Sequence, residues 1–442
     1  MADDWRKATV GEIAAPVRNA LVGGPFGSNL VSRDYVAAGV PVIRGQNMAG
    51  RWIAGEFAYV TDAKADSLEA NLARPDDIVF TQRGTLGQVS AVPSAKFDRY
   101  LVSQSQMKLT VNREIADPLF IYYVFSTAEQ QAYIRQNAIQ TGVPHTNLGI
   151  LRATPVPLPP LLEQRAIAHV LGTLDDKIEL NRRMNDTLEA MARALFKSWF
   201  VNFDPVRAKA EGRDPGLPKP LADLFPDRLV DSELGEIPEG WEVASLPGVV
   251  DVNPTRALRK GVEAPYLDMA NMPTHGHSAD DVVDRAFGSG MRFINGDTLV
   301  ARITPCLENG KTAFVDFLQA GQVGWGSTEY IVLRPKPPLP EEYAYCLARS
   351  AEFREFAIQS MTGTSGRQRV PVDSLAHFRV AVPPRPIAEL FGQAVKPKFA
   401  RASASVRQSR ALAGLREVLL PKLISGEMRV KDADRFVPEG VA

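Results

Sequence analysis

The sequence predicts an α+β protein with a pseudo-twofold internal repeat: two similar globular α/β domains separated by two long antiparallel coiled-coil helices. Three observations carry this. The second half of the chain is a diverged copy of the first. Each copy runs from a strand-rich block through a proline pair into a helix-forming stretch. That stretch shows apolar residues at alternating four- and three-residue steps, the mark of a coiled-coil seam.

Copy one opens with Trp5-Arg6-Lys7-Ala8-Thr9-Val10 and copy two with Trp241-Glu242-Val243-Ala244-Ser245-Leu246. Asp77-Ile78-Val79-Phe80-Thr81-Gln82-Arg83 is echoed by Asp297-Thr298-Leu299-Val300-Ala301-Arg302. A Thr-Gly pair follows in each (Thr141-Gly142, Thr362-Gly363), then a strand ending in Pro159-Pro160 or Pro383-Pro384. A period of about 225 residues is too long for a solenoid repeat and means two domains of one type. The expected organisation is a first block over 1–158, a helix over 159–203, a connector over 204–240, a second block over 241–384, a second helix over 385–425 and a tail over 426–442.

Within the first block short β-branched or aromatic runs alternate with Gly/Pro/Asn turns, as in Gly39–Gly45, and Ile78–Phe80 and Met107–Val111 read as strands. Pro118 to about Asn137 reads as one helix, with Pro340 to Ile358 its counterpart. The stretch from Leu161 to Phe200 has no proline and one glycine, Gly172. Its seam passes through Ile167, Leu171, Leu174, Ile178, Asn181, Asn185, Leu188, Ala192, Leu195 and Trp199. About 40 residues make a rod of roughly 60 Å. Two successive seam asparagines lower stability but fix register and partner orientation. The second helix offers Val395, Phe399, Ala402 and Val406, then, after a phase slip near Ser409, Leu412, Leu415 and Leu419. Pro397 predicts a late start or a kink. The Pro-rich, charged segment 204–240 reads as a partly ordered connector.

Composition bounds the function. The 442 residues hold 45% hydrophobic and 23% charged residues, ordinary for a soluble globular protein of two to three domains. No apolar run reaches the roughly 18–20 residues of a membrane span. The N-terminus has neither the basic nor the apolar region of a signal peptide, and Cys306 and Cys346 make no disulfide framework. The expected location is the cytoplasm. Net charge is zero, with 11 Lys/Arg against 6 Asp/Glu over 385–442 and 5 against 8 over 206–240. If DNA is bound, a partner supplies much of the charge that neutralises its phosphates.

No catalytic constellation emerges. Asn253-Pro254-Thr255-Arg256 lacks the second proline and the aromatic of an adenine methyltransferase tetrad, and Phe287-Gly288-Ser289-Gly290 follows a stretch that reads as acidic and polar, not as a strand. Gly310-Lys311-Thr312 has Pro305 where a phosphate-binding loop needs glycine. His275 and His277 have no third ligand at metal spacing, and neither Asp62-x-Lys64 nor Asp175-Asp176-Lys177 sits in the strand context of a nuclease. Side chains suited to reading base edges cluster instead on loops after strands. In copy one these are Arg44, Gln46 and Asn47; Gln82, Arg83 and Thr85; and Thr141, His145, Thr146 and Asn147. In copy two they are Asn271, Thr274 and His275; Arg302 and Thr304; and Thr364, Ser365, Arg367, Gln368 and Arg369. Three clusters recur in matching places, and the copies differ most there.

Pro157-Leu158-Pro159-Pro160-Leu161-Leu162-Glu163-Gln164-Arg165-Ala166-Ile167-Ala168, continuing through Leu174-Asp175-Asp176-Lys177-Ile178-Glu179-Leu180-Asn181, resembles the central conserved region of the specificity subunits of type I restriction–modification systems. Ala194–Phe203 continues it. Gly24-Pro25-Phe26-Gly27-Ser28 and Gly39–Asn47 are similar to the opening of many first target-recognition domains in that family, and Ile237-Pro238-Glu239-Gly240-Trp241 to the entry of the second. One departure is Arg385-Pro386-Ile387-Ala388-Glu389-Leu390 in place of the second Glu-Gln, which leaves the start of the second helix open. The resemblance implies a non-catalytic subunit that binds no cofactor of its own. It implies double-stranded DNA as ligand, two modification subunits carrying the S-adenosylmethionine chemistry, and two restriction subunits using ATP and Mg. Each block would read one half of a bipartite target, and the seam residues would mediate helix–helix and subunit contacts. Half-sites one helical turn apart lie about 34 Å from centre to centre, within reach of the rod. The competing reading is a coiled-coil scaffold that joins two protein-binding domains without nucleic acid.

Overall fold

The computed structural model describes residues 5–140, 144–279, 281–364 and 366–430. The chain divides into two compact units, Met1–Ile178 with Ala411–Ala442, and Glu179–Arg410. The two long helices, Leu161–Phe200 and Arg385–Ser425, are each cut by that division, so each unit holds one globular block and a segment of both helices.

In the first unit an antiparallel sheet runs in the order Leu21–Gly23, Gln106–Leu109, Ile78–Thr81, Val89–Ala91. A mixed five-stranded sheet centres on Val40–Ile43, parallel to Tyr100–Val102. The block closes on itself where Arg6–Thr9 pairs antiparallel with Pro155–Leu158, the strand that leads into the long helix. The second unit repeats this plan. Val250–Val252, Tyr330–Pro335, Thr298–Ala301 and Thr312–Phe314 form the antiparallel sheet in the same order. Glu263–Leu267 lies parallel to Gly324–Gly326 in a mixed sheet. Glu242–Ser245 pairs with Arg379–Val382 before the second helix. The Trp-led openings and the proline-bracketed strands are thus partners in each copy, with Trp5 and Trp241 both buried. The Thr141-Gly142 pair lies outside the described residues.

The stretch read as one helix from Pro118 is two, Pro118–Ser126 and Ala128–Gln136. Thr127 divides them because its hydroxyl accepts from Gln130 N and caps the second helix. The counterpart is split likewise into Glu342–Ala348 and Ala351–Gln359, with Ser350 capping Phe353 N. The connector carries a helix, Asp204–Ala210, and a hairpin, Leu229–Ser232 with Gly235–Pro238. It feeds Val206, Phe225 and Ile237 into an aromatic core with Phe196, Trp199, Phe200, Trp241 and Phe391.

The long helices run antiparallel within each unit. In the first, Glu163 takes Arg429 in a bidentate pair (2.6 and 2.8 Å) and Asp175 takes Arg416 (2.7 Å). In the second, the Asn181 amide donates to Gln408 Oε1 (3.0 Å) and Ser409 Oγ (3.2 Å), and the rings of Phe196 and Trp199 meet that of Phe391. Ile167, Leu171, Asn181, Ala192, Trp199, Val395, Phe399 and Ala402 are buried, and Leu174, Ile178, Asn185, Leu188, Leu195, Val406, Leu412 and Leu419 are half-buried.

The second helix spans Arg385–Ser425, directly after the proline pair and through Pro397, so of the late start and the kink that Pro397 suggests, the late start does not occur. One expectation on the seam is corrected. Leu415 is 46% exposed, because the seam holds its phase through Ser409 and passes by Arg416 to Leu423 and Ile424, both buried. Among the described residues no helix is long and apolar enough to cross a membrane.

Candidate nucleic-acid interface

Three loops of the first block meet at one end of its sheets. The strand Val40–Ile43 ends in a 3-10 turn, Gly45–Asn47, held by Asn47 Oδ1 accepting from Arg44 N (3.0 Å). Gln88, at the start of the next strand pair, donates from Nε2 to Met48 O (2.8 Å) and pins this loop. After Ile78–Thr81, Gln82 N donates to Ser105 O (2.7 Å), and Gln82 O accepts from Thr146 N (3.0 Å). Arg83 and His145 form a β-bridge, and His145 bridges to Ile139. The 44–47, 82–85 and 145–147 clusters are therefore brought together, with Gln46, Arg83 and Thr85 exposed and Arg44 and Gln82 half-buried.

The second block builds the same station. Arg302 N donates to Glu329 O (3.0 Å), Arg302 O accepts from Val370 N (2.9 Å), and Arg369 bridges to both Ile303 and Thr362. The backbone partners set the equivalences: Gln82 with Arg302, Arg83 with Ile303, Ser105 with Glu329, and His145 with Arg369. One frame thus carries different polar side chains in the two blocks. Lys311 stands where Gln88 does and has the same task, donating from Nζ to Met269 O (2.6 Å) and Ala270 O (3.1 Å). The Glu329 carboxylate accepts from Arg302 Nε (3.2 Å) and Arg369 Nε (2.9 Å), which orients both arginines, and Arg369 Nη1 also donates to Arg367 O (3.2 Å). Thr304 N joins the group by donating to Gln368 O (3.0 Å), and Arg367 is exposed. His275 is exposed on a turn whose neighbours are fastened by Arg349: Nη1 donates to Thr274 O and Nη2 to Gly276 O, each at 2.7 Å.

Several residues read as base contacts have other work in the fold. Asn47 is buried, and its amide nitrogen donates to Ala54 O (3.0 Å) and Glu56 O (2.8 Å), so both donors are used inside the loop. Thr146 is buried. Asn147 Oδ1 caps the helix Leu148–Ala153 through Ile150 N (2.9 Å). Asn271 Nδ2 donates to Asp281 O (3.1 Å) and closes its own turn. Thr141 and Ser365 lie outside the described residues.

Gln88, Lys311, Ser105, Glu329 and Arg349 had no local pattern to mark them, because their significance depends on loops distant in sequence. The strings weighed as chemistry are structural: Asp62 pairs with Arg99 (2.6 Å), Lys64 with Asp34 (3.2 Å), and Asn253 turns the chain at φ 53°. Among the described residues no group of His, Cys, Asp and Glu is arranged to hold a metal ion.

The architecture defines a class: one α+β block used twice, each copy rooted on paired long helices and presenting a frame of variable polar loops. Residues 26–190 match the type I restriction modification DNA specificity domain. The chain is 23% identical to the type I restriction enzyme MjaIX specificity subunit of Methanocaldococcus jannaschii, over 97% of this chain and 94% of that protein. It is also 23% identical to the HindI specificity subunit of Haemophilus influenzae, over 96% and 100%. It shares its fold with the S subunit of a type I restriction-modification system from M. genitalium, at a TM-score of 0.56 and 14% identity over 95% of this chain and 96% of that one. The chain is thus similar along nearly its whole length to type I restriction enzyme specificity subunits, and residues 26–190 carry their DNA specificity domain.

Proposed function

We propose that this chain is the target-reading, non-catalytic subunit of a type I restriction–modification complex. Each block reads one half of a bipartite duplex target. The long helices set the unread spacer and dock two modification subunits, and two restriction subunits complete the assembly. The methyl donor S-adenosylmethionine, and ATP with Mg, belong to those partners, and no membrane is involved. The observation that carries this reading is the shared frame with different side chains: the polar Gln82, Arg83 and His145 in one block, Arg302, the apolar Ile303 and Arg369 in the other. Two copies of one reader with different side chains suit two different half-sites, because sequence is read by the hydrogen-bonding groups offered to base edges. Zero net charge fits a subunit whose partners close on the phosphates.

The test is a base-resolution map of N6-methyladenine in cells holding this chain and its modification partner, against cells holding the partner alone. A new motif of two short, different halves around an unread gap is the expected result. Identical maps would favour the scaffold reading.

A further inference from the structure

Phe26 is 75% exposed, the most exposed of the large apolar side chains among the described residues, and it stands on a stiff loop. Pro25 precedes it, and Gly24 is buried so tightly that a Cβ there would lie 1.9 Å from Ser103 O. Asn71 Nδ2 donates to Gly23 O (2.7 Å), and Gln104 Nε2 donates to both Gly27 O (2.8 Å) and Leu30 O (3.1 Å). The loop abuts the frame of the candidate interface: Gly24 N donates to Gln106 O (2.9 Å), and Gln82 Oε1 lies 3.6 Å from where a Cβ on Gly23 would stand. A ring held out to water by this many fastenings is pre-organised for something other than its own core.

We propose that Phe26 is a base-stacking wedge, entering the duplex at a step within the half-site read by the first block. This rests on the target-reading function above. An apolar wedge flanked by polar base-reading groups is how proteins unstack and kink a duplex. A protein partner would instead call for an apolar patch and a pocket around the anchor. Here the neighbours Ser28 and Asn29 and the adjoining Arg83 are exposed and polar. The second block has no equivalent, because its chain leaves the sheet at Asn253, which is tied to Val332 (2.7 and 2.8 Å), before such a loop forms.

The experiment uses the full chain assembled with its modification subunits and a target duplex carrying 2-aminopurine at successive positions. The wild-type complex is expected to brighten the probe at one step of the first block's half-site and at none of the second's, base flipping aside. Phe26→Ala is expected to abolish that signal and weaken target binding on the order of tenfold or more, with thermal unfolding and assembly unchanged, and Phe26→Trp to restore it. Unchanged affinity and fluorescence in Phe26→Ala would overturn the wedge while leaving target reading intact. Loss of assembly with the modification subunit would overturn it in favour of a protein contact. A wild-type complex that selects no target would instead sink the target-reading function itself.

Discussion

Arg369 Nε lies 2.9 Å from Glu329 Oε1, and Arg302 Nε lies 3.2 Å from Glu329 Oε2. One carboxylate therefore aims two arginines that backbone pairing has already brought side by side. In the first block its place is taken by Ser105, so the charge there is not balanced in the same way. Glu329→Gln keeps the size and removes the charge that orients the guanidinium groups. Discrimination among bases is expected to fall about tenfold in the second half-site and to stay intact in the first. Methylation rates on duplexes with single changes in each half measure this. An equal loss in both halves would mean that Glu329 serves overall stability.

Arg302→Ala and Arg83→Ala separate base reading from phosphate contact. A base-reading arginine costs on the order of 1–3 kcal/mol when removed and relaxes one position of the motif. Arg302, oriented by Glu329, is expected to behave so. Arg83 is exposed and has no equivalent arginine in the second block, where Ile303 takes its place. Its removal is expected to relax a position in the first half-site only. Uniform weakening on all duplexes would assign either residue to the backbone.

The repeat, the antiparallel helices and the three loop clusters were legible because each is a local pattern: a Trp-led strand, a heptad, a polar run after a strand. The split of each helix at Thr127 and Ser350 rests on a single side-chain cap within an otherwise helix-forming run, which periodicity alone does not mark. Which polar residue faces outward was not legible. Asn47 and Gln46 are neighbours of similar chemistry, yet one spends both amide donors within its loop and the other is exposed. The echo of Asp77–Gln82 in Asp297–Arg302 holds position for position, and the backbone partners of Gln82 and Arg302 make these two, with Arg83 and Ile303 after them, the equivalent residues. Leu415 was misplaced because polar Ser409 and Arg416 occupy the true seam.

The first block is anchored to the helices by charge as well as by apolar packing. Tyr123 Oη donates to Asp175 Oδ2 (2.8 Å) and accepts from Arg51 Nη1 (3.2 Å), while Arg416 pairs with the other Asp175 oxygen (2.7 Å). Arg51 and Asp175 are only 8% and 11% exposed. Burial together with the Asp175 charge pushes the Tyr123 hydroxyl well above its ordinary range. Asp175→Ala leaves this cationic pair short of a partner, and urea unfolding of the first unit should show a loss of about 3 kcal/mol. A change below about 0.5 kcal/mol would make the network ornamental.

Seam phase gives a second stability test. Leu423 is 3% exposed and Leu415 is 46% exposed. Leu423→Ala is expected to cost about 2–5 kcal/mol through lost burial and a cavity, and Leu415→Ala less than about 0.5 kcal/mol. Equal costs in denaturant titrations would return the seam to Leu415.

Acid should weaken the helix segment at Glu179. Hydrogen bonds from Arg182 and Arg183 pull its carboxyl from 4.5 down to about 2. Since the folded value lies below the unfolded one, the contribution is complete above about pH 4.5 and is lost as pH falls toward 2. Glu179→Gln is expected to flatten the pH dependence of stability in that window and to change little at pH 7, because the pair is largely exposed and water-screened. An unaltered slope in the variant would place the acid sensitivity elsewhere.

The spacer role proposed for the helices makes a prediction in base pairs. Inserting one heptad after Asn185 and one after Arg401, nearly opposite on the partner helix, keeps the apolar seam in phase. Seven residues add about 10 Å at 1.5 Å per residue, or about three base-pair steps of 3.4 Å. The methylation map of such a variant is expected to show the same two half-sites with an unread gap about three base pairs longer. If the gap stays as it was while both halves are still read, the helices are not the ruler. If both halves are lost although the protein still folds and assembles, the wild-type gap is fixed by helix length, and the partners cannot stretch to meet the longer one.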